Sequence, residues 1–335
     1  MAKVCILGGG GWGIGLSTVL SDNGHDVTIW SFLQSEVDML KNDWENKKSL
    51  PGVMIDKKTI ITNSLEAAVK DKDMVVMATA SSFVRDTAHS LRGLIPKGQI
   101  IVNVAKGLED STLYTMTDII SDELPMANVA VLSGPSHAEE VGKRMPTTCV
   151  AGAKDRYTAE YIQNLFANEV FRVYTSPDVL GIELGGALKN VIALAAGIAD
   201  GLGFGDNTKA ALITRGIKEI SELGIAMGGK YSTFAGLSGI GDLIVTCASI
   251  HSRNRKAGFL MGQGMTMEAA MKEVNMVVEG VYSAKAAKSL AVKYNIEMPI
   301  IEQVNRVLFD GKSAREAVMD LMIRNKTSED VSLPW

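Results

Sequence analysis

Cysteine and histidine are scarce. Among 335 residues there are three cysteines, Cys5, Cys149 and Cys247, far apart and without a CxxC pair, and four histidines without HxxxH spacing. That pattern excludes a disulfide framework and a structural zinc site, so no metal is expected and a reducing cytoplasm fits. An excess of one charge is missing as well: 34 Lys and Arg stand against 38 Asp and Glu, a net charge of -4 at pH 7. A nucleic-acid or membrane-surface role would need a local patch, none is obvious, and no nucleic-acid partner is expected. Long hydrophobic runs are lacking too. Lys3 ahead of the uncharged stretch Val4–Ser21 imitates a secretory leader, but glycines at 8, 9, 10, 11, 13 and 15 interrupt it. They argue against a leader and a span alike, and no later stretch reaches the ~18 consecutive apolar residues a span requires. Internal repeats, heptads and low-complexity tracts are not found.

What is present is 46% hydrophobic, 21% charged and 6% aromatic, the profile of a soluble globular protein. At this length one core normally divides, so two domains are expected. Up to about Tyr174, short β-rich runs alternate with helix-like segments, the pattern of a parallel sheet covered by crossover helices. The strand candidates are Val4–Leu7, Val27–Trp30, Thr59–Ile61, Met74–Ala78, Ile100–Val104, Val129–Leu132, Thr147–Ala151 and Phe171–Tyr174. Trp12–Asn23 reads as a helix stopped by Gly24, and Asn63 with Glu66 as a capping box. Beyond Ser176-Pro177 the chain reads as glycine-punctuated helices: Val179–Ala199, Asn207–Met227, Thr266–Val274, Ser283–Tyr294, Ile300–Phe309 and Ala314–Met322. The expected fold is α/β: a doubly wound Rossmann-like dinucleotide domain over 1–177, then an all-helical domain over 178–335. Leu333-Pro334-Trp335 reads as an extended tail.

Gly8-Gly9-Gly10-Gly11-Trp12-Gly13 follows a strand and opens a helix, so it satisfies GxGxxG in its required context. Its glycines permit close backbone approach, and the helix start offers free N–H groups and a positive dipole end to a pyrophosphate. Lys189-Asn190 lies within Leu184–Ala199, where Lys189 is the only charged residue. A helix apolar on every side is buried, and burial lowers an ammonium's pKa toward the range of proton transfer. The alternative is a lysine that reaches solvent or forms a structural ion pair. Gly239-Ile240-Gly241-Asp242 offers an acid that can orient a lysine, and Ser252-Arg253-Asn254-Arg255-Lys256 suits a phosphate, unless it is simply a solvated face. Ala105-Lys106-Gly107-Leu108-Glu109 and Ser133-Gly134-Pro135-Ser136-His137-Ala138-Glu139-Glu140 follow predicted strands, where open α/β sheets bind ligands. A surface lysine and a plain capped helix are their bland readings.

Together the GxGxWG loop, AKGLE, SGPSHAEEV, the Lys189-Asn190 pair, GDLIVTC at Gly241–Cys247, SRN at Ser252–Asn254 and VVEG at Val277–Gly280 resemble bacterial NAD(P)-dependent sn-glycerol-3-phosphate dehydrogenases over almost the whole chain. The resemblance implies reversible reduction of dihydroxyacetone phosphate to sn-glycerol 3-phosphate in the cytoplasm, feeding phospholipid synthesis, commonly by a homodimer. It implies Lys189 as acid/base, Lys106 near substrate and nicotinamide, and Gly134, Ser136, Asp242, Ser252, Arg253 and Asn254 around the substrate. At the cofactor, NAD or NADP, it implies Gly11, Trp12, Lys106, Ala138, Arg253, Val277 and Glu279, beside Gly8, Gly10 and Gly13 of the loop. Asp242 is expected to hold the Lys189 ammonium, and Asn190 with Lys106 to hydrogen-bond substrate oxygens.

Relatives often carry Ser or Ala at the position of Gly11, where a backbone contact survives the change. After the second strand this chain reads Ser31-Phe32-Leu33-Gln34, without the basic residue many relatives have and without an acid before Glu36. Ser31 can bond to either cofactor, so discrimination within ~30-fold is expected. Two rivals remain. β-Hydroxy-acid dehydrogenases usually space their lysine and asparagine four apart, whereas here they are adjacent. A non-enzymatic dinucleotide sensor would not need Lys106, Lys189, Asp242 and Arg253 together.

Overall fold

The protein is described by a computed structural model covering residues 1–326, 328 and 329; the tail at Leu333–Trp335 lies outside the described residues. The eight strands are β1 (Lys3–Leu7), β2 (Asp26–Trp30), β3 (Ile60–Thr62), β4 (Met74–Met77), β5 (Ile100–Asn103), β6 (Asn128–Ser133), β7 (Thr147–Ala153) and β8 (Phe171–Ser176). They form one sheet in the order β3-β2-β1-β4-β5-β6-β7-β8. The chain order reverses beside β1, and in such sheets a ligand crevice opens at the reversal, outside the strand C-termini.

The sheet departs from the all-parallel expectation at one pair, since β7 runs antiparallel to β6. The linker between them holds only the five-residue helix Ala138–Gly142, and the chain turns back there instead of crossing over. β1 shows why the strands read as continuous apolar runs. Val4 and Ile6 join the core on one face, Cys5 and Leu7 the core on the other, so both faces are covered. The helix Gly11–Asp22 packs on the first face with Ile14, Leu16 and Leu20, and Val84–Ser90 and Met116–Glu123 pack on the second. Gly24, with φ of +77°, ends the first of these as expected. The capping box does not form at Asn63. Ser64 caps the helix Leu65–Val69, leaving Glu66 one position short of the box, while the carbonyl of Asn63 accepts a 2.9 Å hydrogen bond from Trp30 Nε1.

Downstream of β8 the fold is helical around Val179–Gly201, a helix buried on nearly every side. By length and composition this helix could cross a membrane, but 83% of its apolar window is buried inside the protein, where it forms the second core. Asp242–Ala248 and Arg253–Gly262 are helices the sequence reading took for a turn and a basic cluster. The second crosses the central helix in backbone contact. A Cβ on Gly258 would lie 2.2 Å from the Leu194 carbonyl oxygen, and one on Gly197 2.1 Å from that of Arg255. Overpacking of such a contact costs ~2–3 kcal/mol. Gly258→Ala is therefore expected to lower the thermal midpoint by ~3–4 °C in a circular-dichroism melt; an unchanged midpoint would show that the two helices can separate freely.

Candidate active site

After β1 the backbone folds back on itself. Gly8 has φ of +130° and a Cβ there would meet the Ala78 carbonyl oxygen at 2.6 Å; a Cβ on Gly13 would meet that of Gly8 at 2.1 Å. Only glycine fits at these positions. The helix then starts at Gly11 with no side-chain cap, leaving its first N–H groups directed at a ligand site. A cleft of about 690 Å³ opens here between the sheet and the helical half.

Of the expected site residues, Gly10, Gly11, Trp12, Lys106, Ser136, Ala138, Lys189, Asn190, Ser252, Arg253, Asn254, Val277 and Glu279 line this cleft. Gly8, Gly13, Ser31, Gly134 and Asp242 do not, and each stands one layer behind. The two glycines shape the loop, and the carbonyl of Gly134 accepts from Lys106 Nζ and Ser136 Oγ, each at 3.0 Å. Ser31 is buried at the end of β2, with its hydroxyl turned to Glu36.

Lys189 is 5% exposed on the central helix and donates to Asp242 Oδ1 and, at 2.8 Å, to Thr246 Oγ1. Asp242, itself 1% exposed, accepts at Oδ2 from Lys106 Nζ at 2.7 Å. One carboxylate thus serves two ammoniums. Burial pushes the pKa of Lys189 down to about 7, with Lys106 adding to the fall and Asp242 opposing it. Burial alone would raise Asp242, but the two ammoniums hold it below the usual carboxylate range. A π-type turn over Leu237–Gly241 delivers Asp242 to this position, and its Ser238 carbonyl lies so near the central helix that a Cβ on Gly185 would meet it at 2.4 Å. Thr246 escaped the sequence reading, although it stands four residues after Asp242, on the same helix face.

The asparagines turn inward. Asn190 Oδ1 accepts from Asn254 Nδ2 at 2.9 Å, and Asn254 Oδ1 accepts from the Gly280 N–H at 2.8 Å. Asn254 therefore ties three helices together, and its amide is already engaged on both sides. Ser252 Oγ caps its own helix by accepting from the Arg255 N–H at 3.2 Å, and Arg255 is paired with Asp200. Of the expected basic cluster, Arg253 and Lys256 are exposed and make no ion pair among the described residues, and of these two Arg253 lines the cleft.

Two carboxylates, Glu183 buried and Glu279 partly so, join the halves. Glu183, from the helix that carries Lys189, accepts from Asn103 Nδ2 and from the Thr117 N–H, both at 3.0 Å. Asn103 in turn bonds both backbone groups of Ala105, the neighbour of Lys106. Burial pushes Glu183 up to about 7. Glu279 accepts from the Ser81 N–H at 3.1 Å and from its hydroxyl, closing the cleft at the opposite edge. His137, also unassigned from sequence, lines the cleft with a buried Nε2 that has no hydrogen-bond partner among the described residues. Burial and the nearby Lys189 hold it below the usual histidine range. An uncapped helix start and a glycine cradle, in one cleft with two lysine ammoniums, fit a dinucleotide with a small polar substrate beside it.

The comparisons with known proteins agree with this geometry. Residues 3–159 match the NAD-dependent glycerol-3-phosphate dehydrogenase N-terminus and residues 178–319 its C-terminus. A glycerol-3-phosphate dehydrogenase [NAD(P)+] of Fusobacterium nucleatum is 62% identical over 98% of this chain and 99% of its own length. One from Agathobacter rectalis is 61% identical over the whole of both chains. A crystal structure of glycerol-3-phosphate dehydrogenase from Coxiella burnetii superposes with a TM-score of 0.93 at 33% identity, covering 96% of this chain and 99% of that one. With both family halves matched in order and such identity carried from end to end, the chain belongs to the NAD-dependent glycerol-3-phosphate dehydrogenase family.

Proposed function

We propose that this chain reversibly reduces dihydroxyacetone phosphate to sn-glycerol 3-phosphate with NADH or NADPH, supplying glycerol 3-phosphate for phospholipid synthesis. The observation that carries the reading is the Lys189–Asp242–Lys106 cluster facing the cleft where the two halves meet. In it, 1–177 serves as the dinucleotide half and 178–335 as the substrate half. The bound reduced nicotinamide supplies a hydride.

The protein's own part is positioning and proton transfer. Reducing a ketone builds negative charge on its oxygen, and the Lys189 ammonium is the donor beside that oxygen. A lysine with a pKa near 7 gives up its proton readily and recovers it in the reverse direction. Asp242 keeps the ammonium charged and aimed, while Lys106, held by Asp242 and the Gly134 carbonyl, adds a second cation for the substrate oxygens. Arg253, which makes no ion pair among the described residues, takes the substrate phosphate, and Ser136, Ser252, Asn190 and Asn254 shape the pocket around it. Binding energy from a phosphate remote from the reacting carbon is then available for orientation. Gly8, Gly10, Gly11, Trp12, Gly13, Ala138, Val277 and Glu279 serve the cofactor. A cytoplasmic homodimer belongs to the same reading. In support of the compartment, the three cysteines are free and buried, with their thiols pushed by burial up to about 12.

An absorbance assay at the reduced-nicotinamide band with dihydroxyacetone phosphate tests the activity directly. Lys189→Ala should lower kcat by at least ~100-fold with dinucleotide binding retained; near-normal turnover of the folded variant would overturn its role. Ketone reduction needs Lys189 charged, so activity should fall as pH rises through its pKa near 7. Asp242→Asn removes the group that raises that pKa, and the alkaline limb should move to lower pH; a limb that stays in place would assign it to another group. Arg253→Ala should raise KM for the phosphorylated ketone by ~10- to 100-fold, the worth of one charge-assisted contact. An equal loss of activity with unphosphorylated dihydroxyacetone would remove the phosphate from its role.

A further inference from the structure

β2 ends at Trp30, and the five residues that follow carry no acid, yet the fold brings one back. Glu36 lies in the first turn of the helix Gln34–Asp43, and its carboxylate accepts from the Ser31 hydroxyl at the strand end. It also accepts from Asn46 Nδ2 at 3.3 Å, and the same amide donates to the Gly9 carbonyl at 2.9 Å. Ser31 and Asn46 are both buried, at 2% and 1% exposure. The carboxylate is thus fixed against the glycine loop: a Cβ on Gly9 would lie 3.2 Å from Glu36 Oε2. Glu36 lines the cleft together with Gly10 and Gly11.

In a dinucleotide fold the adenosine ribose lies at the end of the second strand, beside the glycine loop. A carboxylate there accepts hydrogen bonds from free ribose hydroxyls and repels a 2′-phosphate, whose charge an arginine would be needed to match. Among the described residues no arginine stands on this side of the cleft: Arg253, the arginine in its lining, belongs to the helical half. Lys48 is the cation contributed by the loop that carries Asn46, and it is exposed and without an ion pair among the described residues. An ammonium on a flexible stem offsets a clamped carboxylate only weakly.

We infer that Glu36 is the acceptor for the adenosine ribose hydroxyls and makes this enzyme selective for NAD(H) over NADP(H), with Ser31 and Asn46 as positioning residues. This rests on the dehydrogenase reading for the presence of a dinucleotide and adds the feature of the nucleotide that is recognised. It replaces the weak discrimination expected from the loop sequence alone, because that expectation left the carboxylate out of the site.

Fluorescence titration of the full-length protein with NADH and with NADPH, without ketone, tests it apart from turnover. The wild type should bind NADH more than ~30-fold tighter than NADPH, the scale of a charge-assisted pair exchanged for a repulsion. Glu36→Gln should reduce that ratio at least ~10-fold, with NADPH binding tightened because Lys48 is then unopposed. Ser31→Ala keeps the carboxylate and loosens its clamp, and should reduce the ratio by less. Equal dissociation constants in the wild type, or a ratio unmoved in a Glu36→Gln variant with wild-type circular dichroism, would overturn the selectivity and leave the dehydrogenase reading intact. Binding of neither nucleotide would overturn both.

Discussion

A lysine ammonium held almost out of water in the middle of an apolar helix is the constraint around which the helical half is arranged. An isolated buried charge would cost several kcal/mol, so Lys189 requires a carboxylate at hydrogen-bonding distance. Asp242 supplies it, and Asp242 is itself buried to a degree that only a second ammonium, Lys106, makes tolerable. The close glycine contacts follow from the same demand. Gly185 lets the π-type turn press Asp242 onto the central helix, and Gly197 with Gly258 lets the neighbouring helix approach near enough to bury the site.

Because the carboxylate is shared, the two lysines are registered to each other although they come from different halves of the chain. Lys106 arrives on the loop after β5, and Lys189 on the central helix. Glu183 reinforces the register by bonding Asn103, at the end of β5, from that helix. Glu279 and Ser81 do the same at the opposite rim. Burial raises both glutamates above the usual carboxylate range. The cleft is therefore bounded by polar contacts between the halves, with the glycine loop on one wall and the lysine pair beside it.

The glycine turn, the eight strands and most of the later helices were legible because each depends on local order: strand alternation, a glycine string between strand and helix, a lysine alone in an apolar run. Lys189, Lys106, Asp242 and Arg253 were legible for a similar reason, being charges in settings where charge is unusual. Other features were not. The helices Asp242–Ala248 and Arg253–Gly262 lacked a readable apolar stripe because they are short and their inward faces mix polar and small residues with apolar ones: Asp242, Leu243, Thr246 and Cys247 in the first, Asn254, Ala257, Gly258 and Met261 in the second. Asn254 was legible as a member of a polar cluster, whereas its bonds to Asn190 and Gly280, which fix its amide at the cleft, come from helix packing.

The amino-acid order by itself determined the α/β class, the place of the glycine loop, the change to helices after β8 and the residue types able to move a proton, since these follow from short-range periodicity and from the chemistry of single side chains. Tertiary structure alone decided which acid meets which base. Asp242 reaches Lys189 across 53 positions and Lys106 across 136, and no local rule spans such distances. It also decided the position of Glu36, which in sequence lies past the end of β2 and in space returns to it, because one helical turn and two buried hydrogen-bond donors fold it back against the glycine loop.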